Sequence, residues 1–353
     1  MSRLWRGQHG GRLMMPAVPP LRLRVPILLA ATAGAVLAVT GCGGPAAGTD
    51  LPRAAVAPPV TRTPAGTVVS LPGDPGSLAV DTRDGLLAAG ISDPGGVALI
   101  STSTGREKKV IHLAGSPEHL ALTRTQQSLL VPLGKAGQLV QLALPSGQVQ
   151  YQARLEGEPD DAVAASAGTI FVSNGSSSTV SLVQNGVQVA DEPAPRQPGG
   201  VAASANGTEI MVLGTRARRV EVFSYSGRSL GSAPAGAGPT HVVANGRDLF
   251  YVADTEGNAI DVIQLGAGPK QVATVATRPG APYGLALDQA RHVLYVTLTA
   301  SNELESFRIK GTTVVPDRVW PTVRQPDAVA VDPATGRVFV ASRTGGGLEL
   351  IDP

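Results

Sequence analysis

Two histidines and several carboxylates lie at equivalent places in a repeating sequence, and they are the residues best suited to chemistry. Each follows a proline by one or two positions: Glu118 and His119, Asp160 and Asp161, Thr240 and His241, Tyr283, and Asp327. Imidazole nitrogens and carboxylate oxygens can ligate Zn²⁺, Mn²⁺ or Ca²⁺. They can also bind a polar ligand or exchange protons with it. The alternative is that these side chains only solvate a surface.

The prolines that precede these residues recur at a nearly constant interval. The interval is 39 to 44 residues, and the fourth residue after each proline is Ala or Val at the start of an apolar run. The seven prolines are Pro75, Pro117, Pro159, Pro198, Pro239, Pro282 and Pro326. Repeats of about 40 residues with strand patterns and no helical periodicity are typical of β-propellers with one blade per repeat. The sequence therefore predicts an all-β fold, a seven-bladed β-propeller of four-stranded blades, over residues 67–353.

The ends of the repeat region indicate how the ring closes. The seventh repeat stops after its third strand, Leu348–Ile351, whereas Thr67–Leu71 precedes the first proline at the offset of a fourth strand. Pairing these two segments would complete the last blade and remove two open sheet edges. We therefore expect an N-terminal strand to complete the last blade.

This topology places the loops that enter the inner strands on one face of the ring, around its axis. Loops that leave the second strands open on the same face and add Asn174, Asp254 and Arg343. Because many blades direct side chains toward one point, this face is the expected place for a ligand. The predicted site at the channel face consists of Glu118, His119, Asp160, Asp161, Asn174, Thr240, His241, Asp254, Tyr283, Asp327 and Arg343.

The second strands carry a motif that relates the chain to a known family. The segments Phe250–Asp254, Tyr295–Thr297 and Phe171–Asn174 resemble the Tyr-Val-Thr-Asn signature of YVTN-repeat propellers, and Leu249–Ile263 resembles an NHL repeat. The resemblance covers residues 67–353. It implies an extracytoplasmic propeller that acts as a non-catalytic binding or scaffold module for a protein, glycan or small molecule.

A metal-dependent enzyme is the alternative interpretation. Six-bladed lactonases of the SMP-30 type bind a divalent ion at the same place, and likeness to them implies a lactonase or esterase that uses Glu118, His119, Asp160, His241 and Asp327. This chain has seven repeats, however, and its two histidines fall in the second and fifth, nearly opposite across the ring. We expect them to be too far apart to share one ion. We therefore predict no cofactor, and a divalent metal only under the alternative.

The N-terminal residues predict export and a lipid anchor. Arg22 and Arg24 precede the apolar segment Val25–Val39, which is followed by Cys42, the only cysteine. This arrangement is that of a signal peptide, and its end resembles the lipobox of bacterial lipoproteins. The resemblance implies that residues 1–41 are removed and that Cys42 is lipidated. Residues 42–66 are rich in Gly, Pro, Ala and Thr, a composition typical of a flexible linker.

Cleavage would also reverse the sign of the net charge. Residues 1–41 contain five arginines and no acid, so the remaining chain has 24 basic and 27 acidic side chains, a net charge of −3. A mildly acidic body disfavours nucleic-acid binding, which depends on clustered Lys and Arg. The five lysines against 24 arginines, with abundant Ala, Gly and Pro, are typical of a high-GC bacterium, such as an actinobacterium. We therefore expect an extracytoplasmic protein, anchored by lipid to the cell membrane, with no nucleic-acid partner.

Overall fold

Short apolar runs separated by Gly-, Asp- and Asn-containing turns form antiparallel strands throughout residues 67–351. The computed structural model describes residues 51–353, and within them 28 strands follow one another. They are β1 (Thr67–Val69), β2 (Asp74–Asp81), β3 (Leu86–Ser92), β4 (Gly96–Ser101), β5 (Glu107–His112), β6 (Ala121–Leu122), β7 (Ser128–Leu133), β8 (Gln138–Ala143), β9 (Val149–Arg154) and β10 (Pro159–Ala164). Next come β11 (Ile170–Asn174), β12 (Thr179–Gln184), β13 (Val187–Pro193), β14 (Pro198–Ala203), β15 (Glu209–Gly214), β16 (Arg219–Ser224), β17 (Ser229–Pro234), β18 (Pro239–Ala244) and β19 (Leu249–Asp254). The last are β20 (Ala259–Gln264), β21 (Lys270–Ala276), β22 (Pro282–Asp288), β23 (Val293–Leu298), β24 (Glu303–Lys310), β25 (Thr313–Pro321), β26 (Pro326–Val331), β27 (Val338–Ser342) and β28 (Gly347–Ile351).

These strands form seven four-stranded antiparallel sheets, which are the blades of the predicted propeller. Six blades are built from consecutive strands: β2–β5, β6–β9, β10–β13, β14–β17, β18–β21 and β22–β25. The seventh has the order β1-β28-β27-β26, so its outermost strand comes from the beginning of the ring. The fold class, the blade count and the closure by an N-terminal strand are therefore confirmed.

The closing strand is held by both backbone and side chains. Thr67 pairs with Leu350, and Val69 pairs with Leu348. The buried carboxylate of Glu349 accepts the Gly66 N–H at 2.8 Å through one oxygen and the Val323 N–H at 2.9 Å through the other. The last blade is thus joined to the N-terminal segment and to the connection from the sixth blade.

The hydrophobic core is divided among the spaces between adjacent blades. Seven clusters of buried apolar side chains are present in the described residues, one for each pair of neighbouring blades. The cluster between the seventh and first blades includes Phe339 and Leu87, and Val69 of the closing strand packs against it. Because the closing interface has a core like the other six, the ring is continuous.

A β-bulge follows the repeat proline in six of the seven blades. In the third blade, Pro159 pairs with Asn174 and Ala162 with Val172, so the inner strand holds one residue more than its partner. Such a bulge redirects the side chains beside it. In the second blade the inner strand is shorter, Ala121–Leu122, and the residues after its proline lie in the preceding loop. The bulges explain why residues just after the prolines leave the regular strand pattern at the ring axis.

Part of the predicted linker lies against the ring. The Ala57 carbonyl accepts hydrogen bonds from Arg324 Nε at 3.3 Å and Nη2 at 3.1 Å, and the Pro58 carbonyl accepts one from Asn302 Nδ2 at 3.0 Å. Ala57 is only 2% exposed. Residues 51–66 therefore cross the face on which the inner strands begin, and their composition gave no sign of these contacts.

The predicted signal peptide, residues 1–41, and the predicted lipidation site, Cys42, lie outside the described residues. The helical segments among residues 51–353 are two short 3₁₀ helices, Gly134–Ala136 and Ser166–Gly168, and neither has the length and apolar character needed to span a membrane.

Candidate functional site

The inner strands begin around a cavity of about 450 Å³ at the mouth of the central channel, which we call the mouth cavity. Its walls include backbone and side chains from the loops that precede the inner strands and from those that follow the second strands. Seven predicted residues line it: Glu118, His119, Asp160, Thr240, His241, Tyr283 and Arg343. Residues that follow the repeat prolines, or that lie in the loops after the second strands, are thus brought together at the mouth cavity.

His119 and His241 meet across the channel axis. Their Nε2 atoms are 3.1 Å apart and their ring centroids are 5.1 Å apart. The Tyr283 ring also packs against His241, edge to face, at a centroid distance of 4.4 Å. The expectation that these histidines are too far apart to share one ion was therefore wrong. Each side chain extends toward the axis from its own blade, and together they span the channel.

The hydrogen bonds restrict the proton positions of this pair. His119 Nδ1 lies 3.2 Å from the Asp160 carbonyl oxygen, which can only accept, so Nδ1 carries a proton. When His119 is neutral, its Nε2 accepts from His241 Nε2, and His241 Nδ1 is then an unprotonated acceptor. When His119 is protonated, its Nε2 donates to His241, whose proton then lies on Nδ1. His241 Nδ1 is buried without a hydrogen-bond partner in the described structure, so the proton on His119 decides whether it accepts or donates.

Burial and charge act differently on the two imidazoles. Burial, together with the neighbouring charges of His119 and Arg343, holds the pKa of His241 well below its usual value, so His241 is neutral. Burial also opposes the charged form of His119, but the carboxylates of Asp161 and Asp160 outweigh it and raise the pKa of His119. The pair therefore carries at most one proton beyond neutrality near pH 7, and that proton is on His119.

Burial also moves the neighbouring carboxyls toward neutral pH. It raises the pKa of Asp160 to about 6, with the His119 charge opposing the rise. Burial raises the pKa of Asp161 as well, against the same histidine and the amides of Val201 and Ala162. The Asp160 Oδ2 is 4.0 Å from His119 Nδ1. The site thus combines an imidazole and a carboxyl that can exchange a proton close to physiological pH.

Arg343 links three blades at the edge of the mouth cavity. Its Nη1 donates to Glu118 Oε2 at 2.7 Å, its Nη2 donates to the Gly76 carbonyl at 3.2 Å, and its backbone N–H donates to Asp327 Oδ2 at 3.2 Å. Burial alone would raise the pKa of Glu118, but the charge and hydrogen bond of Arg343 outweigh it and lower that pKa. Glu118 is therefore ionised and paired rather than free to ligate.

A second cavity of about 230 Å³ lies along the channel, and we call it the channel cavity. His119 and His241 line both cavities, so the pair lies where the two meet. Asp161 and Asp327, predicted for the mouth, line only the channel cavity. Ser77 Oγ, His241 Nδ1 and Asp327 Oδ1, all on residues lining this cavity, are buried without hydrogen-bond partners among residues 51–353. Unpartnered polar atoms around a cavity favour polar contents.

Three predicted residues have hydrogen bonds that serve the fold. Asn174 Nδ2 donates to Ser181 Oγ at 2.8 Å, and Thr240 Oγ1 is bonded to a neighbouring threonine hydroxyl at 2.8 Å. The Asp254 carboxylate accepts the N–H groups of Gly238 at 2.6 Å and Gly257 at 3.0 Å. Asn174 and Asp254 line neither cavity. We therefore correct the predicted role of Asn174 and Asp254 from ligand binding to loop stabilisation, because neither lines a cavity and because the Asn174 amide nitrogen and the Asp254 carboxylate are hydrogen-bonded within the fold.

The five predicted metal ligands do not converge. In the part of the chain that the structure describes, no three His, Cys, Asp or Glu side chains are arranged to hold one metal ion. Glu118 is paired with Arg343, and Asp327 lies along the channel rather than at the mouth. The histidine pair alone presents two donor nitrogens at one point.

Sequence reasoning missed the contribution of the N-terminal segment to the site. Leu51, Pro52 and Arg53 line the mouth cavity, and Pro52 is buried. Lys135, in the turn after the second strand of the second blade, lines it as well. The lysine follows from its place in the repeat, whereas nothing in a Pro- and Ala-rich segment indicates where it docks. The mouth cavity thus has three cationic side chains, Arg53, Lys135 and Arg343, beside its carboxylates.

Comparisons with known proteins show similarity of fold and no similarity of sequence that identifies a family. The sequence matches no known family profile and no curated protein. A structure of hydrazine synthase from Kuenenia stuttgartiensis is similar with a TM-score of 0.70 and 15% identity, over 82% of this chain and 98% of that one. Virginiamycin B lyase from Staphylococcus aureus gives a TM-score of 0.68 and 14% identity, over 81% and 99%. The β-propeller domain of Cps50 (Swd1) from Myceliophteria thermophila gives 0.70 and 11%, over 81% and 98%. At identities of 11–15%, these likenesses show the fold alone.

Proposed function

We propose that this protein is a lipid-anchored, extracytoplasmic binding module of the YVTN-repeat type, which takes a small hydroxylated molecule such as a sugar at its channel mouth. The observation that carries the proposal is the His119–His241 pair, placed where two cavities meet and presenting a buried nitrogen without a partner among the described residues. The lipobox-like sequence ending at Cys42 supports the location.

The class of ligand follows from the chemistry of the mouth. A volume of about 450 Å³ falls in the range of small-molecule sites. Cations and carboxylates both line it, so no single charge is favoured. The His241 Nδ1 changes between acceptor and donor, and a hydroxyl group matches either state because it can donate and accept. The Tyr283 ring beside it offers an apolar surface of the kind on which the C–H face of a sugar packs.

Ligand-observed NMR on the full chain in non-ionic detergent would test this function. A panel of mono- and disaccharides is the probe, and at least one should give a saturable signal. His241→Phe keeps an aromatic ring against Tyr283 but removes both nitrogens, and it should weaken binding about tenfold or more, the effect of losing about 1.4 kcal/mol. His112→Phe, at an exposed histidine of β5, is the matched control. Equal binding by the His241 variant and the wild type would contradict the proposal.

The lipid anchor has its own test. Cys42→Ala removes the only cysteine and with it the proposed acylation site. We expect the wild-type protein to incorporate a labelled fatty acid and to partition with membranes, and the variant to do neither. Labelling of the variant, or membrane release of the wild type by high salt alone, would argue against the anchor.

A metal-dependent lactonase or esterase is the second candidate function. One observation favours it: two imidazole nitrogens bound to one zinc at about 2.0–2.1 Å in tetrahedral geometry lie about 3.3 Å apart, close to the 3.1 Å between the Nε2 atoms of His119 and His241. The remaining donors would have to come from water or substrate, since no third side chain converges there in the described part of the chain. Metal analysis of protein purified without chelator should then find a stoichiometric divalent ion that His241→Phe removes. A metal content below one-tenth equivalent would exclude this candidate and leave the binding function intact.

A further inference from the structure

A third cavity lies between the fifth and sixth blades, on the face opposite the channel mouth. It has a volume of about 420 Å³ and is formed by the β18–β19, β22–β23 and β24–β25 turns. Because the inner strands begin at the mouth, the turns between first and second strands, and between third and fourth, must lie at the other end. We call this space the basal cavity. It shares no lining residue with the mouth cavity or the channel cavity.

The lining of the basal cavity is cationic. Arg247, His292 and Lys310 line it, together with amide side chains, and no Asp or Glu does. None of these three side chains forms an ion pair within residues 51–353, whereas Arg291 and Arg308, from the same blade as His292, are both paired with aspartates. Among residues 51–353, where acidic side chains outnumber basic ones, an acid-free cavity lined by two cationic side chains and a histidine favours an anion.

A buried tyrosine hydroxyl provides the second, independent observation. Tyr251, on β19, lines the basal cavity, and its hydroxyl is fully buried with no hydrogen-bond partner in the described structure. Burial, with a contribution from the Asp248 charge, raises the pKa of Tyr251 to about 12, so the hydroxyl stays protonated and can donate. Asp248 is not part of the lining, and its Oδ2 accepts a hydrogen bond from Gln264 Nε2 at 3.0 Å.

Packing does not explain this hydroxyl. Tyr251 pairs with Val243, the fourth residue after its repeat proline. The same place in the third and seventh blades is occupied by Phe171 and Phe339, and both are fully buried. A phenyl ring thus satisfies the core at this register, and a buried hydroxyl without a partner is unfavourable. The hydroxyl therefore has no partner among residues 51–353 that explains it, and it can donate to a bound molecule.

We propose that the basal cavity binds a small organic oxyanion. Its carboxylate or phosphate group would be held by Arg247, Lys310 and His292 and would accept a hydrogen bond from the Tyr251 hydroxyl. Leu287 and Ile309, which also line the cavity, would contact its apolar body. The site is independent of the function proposed for the channel mouth.

Isothermal titration calorimetry on the full chain in non-ionic detergent tests this site with three probes of equal carbon length. Butyrate and butyl phosphate carry the two forms of oxyanion, and butanol is the neutral control. We expect saturable binding of at least one anion at concentrations up to about 10 mM, a range that covers weak fragment-like affinities, and weaker or no binding of butanol. Which anion binds more tightly identifies the oxyanion that the site prefers.

Substitutions assign the binding to this cavity. Tyr251→Phe should weaken anion binding about tenfold or more, as expected for losing a hydrogen bond to a charged group, while leaving thermal stability equal or higher. Arg247→Gln and Lys310→Gln should weaken binding similarly and reduce its dependence on salt. Arg228→Gln is the matched control, because Arg228 is an exposed arginine of the fourth blade without an ion pair among the described residues.

The proposal is overturned if neither anion binds, if butanol binds as tightly as the anions, or if Tyr251→Phe binds with wild-type affinity. The last result would show that the hydroxyl is only a defect of packing. Because phenylalanine already fills the equivalent place in two other blades, a failure of this variant to fold is not expected, and its melting temperature verifies that.

Discussion

The carboxyl of Asp160 offers the sharpest test of the electrostatics at the mouth, through the substitution Asp160→Asn. In the folded protein burial raises the pKa of Asp160 from 3.8 to about 6, against the charge of His119. The folded state therefore binds this proton more tightly than the unfolded chain does. The contribution of the group to stability is complete below pH 3.8 and is lost as the pH rises through about 6. Asparagine does not titrate, so the Asp160→Asn variant loses no stability at this position as the pH rises.

The size of the effect follows from the shift and from the exposure of the side chain. A rise from 3.8 to about 6 corresponds to about 3 kcal/mol. Because the Asp160 side chain is 33% exposed, solvent screening reduces this to about 1–2 kcal/mol. The stability of Asp160→Asn relative to the wild type should thus improve by about 1–2 kcal/mol between about pH 4 and about pH 7.5. At the lower pH both folded proteins are uncharged at this position, so most of the absolute difference there reports the change of side chain.

Urea unfolding followed by circular dichroism at the two pH values measures the difference, provided that the slope of unfolding free energy against urea is unchanged. Glu158→Gln is the control, because Glu158 lines the same mouth cavity with an exposed side chain. Its stability relative to the wild type should change little between the two conditions. If the relative stability of Asp160→Asn stays constant or falls as the pH rises, the ionised carboxylate is stabilised by His119 more than burial destabilises it. Burial would then not be the dominant influence on the carboxyls of the mouth, and the raised pKa of Asp160 would be refuted.

Three further predictions concern the fold around the site. Glu349→Ala should cost about 3–5 kcal/mol of unfolding free energy, since one buried and one partly buried amide lose their carboxylate acceptor, and hydrogen exchange in β1 should accelerate. Unchanged exchange there would contradict its role in closure. Asp254→Ala should lower the free energy of unfolding in urea by about 3 kcal/mol or more, because three loop amides lose their acceptor. Ligand affinity at the mouth cavity should be unchanged, and a weakened affinity would show that Asp254 belongs to the site. Arg324→Ala should change the free energy of unfolding by less than about 1 kcal/mol. It should make residues 51–58 more susceptible to limited proteolysis, since the Ala57 carbonyl loses both of its donors. Cleavage at the wild-type rate would show that other contacts hold the segment.

The sequence predicted those features of the structure that depend on regular spacing along the chain. A period of about 40 residues identifies the blades, and the missing fourth strand of the last repeat identifies Thr67–Val69 as the closing strand. The same regularity located the mouth residues, because a proline followed by a bulge turns the next side chains toward the axis in blade after blade. Buried acids such as Glu349 show no such local signal, since their partners are amides distant in sequence.

Residues without regular spacing could not be placed in this way. The segment from Leu51 to Pro64 has the composition of a linker, yet it docks through backbone carbonyls that accept from Arg324 and Asn302. Any sequence offers such carbonyls, so composition cannot distinguish a docked segment from a free one. Asn174 and Asp254 illustrate the converse. Their place in the repeat is that of a ligand-binding residue, but they line no cavity, and the Asn174 Nδ2 and the Asp254 carboxylate form hydrogen bonds that stabilise the fold.

The contact between the two histidines depends on the width of the channel, which no spacing along the chain encodes. The repeats assign His119 and His241 to blades that lie nearly opposite in the ring. They do not determine the distance between the two side chains. The sequence did contain an indirect signal, in the other residues that stand second after their prolines. Four of these are small: Ser77, Gly200, Gly284 and Ala328. A Cβ atom on Gly284 would lie only 2.8 Å from the Asp327 carbonyl oxygen, so this part of the ring is already closely packed. A channel lined so tightly by small residues is narrow. Two imidazoles that enter it from opposite blades therefore come into contact near its axis.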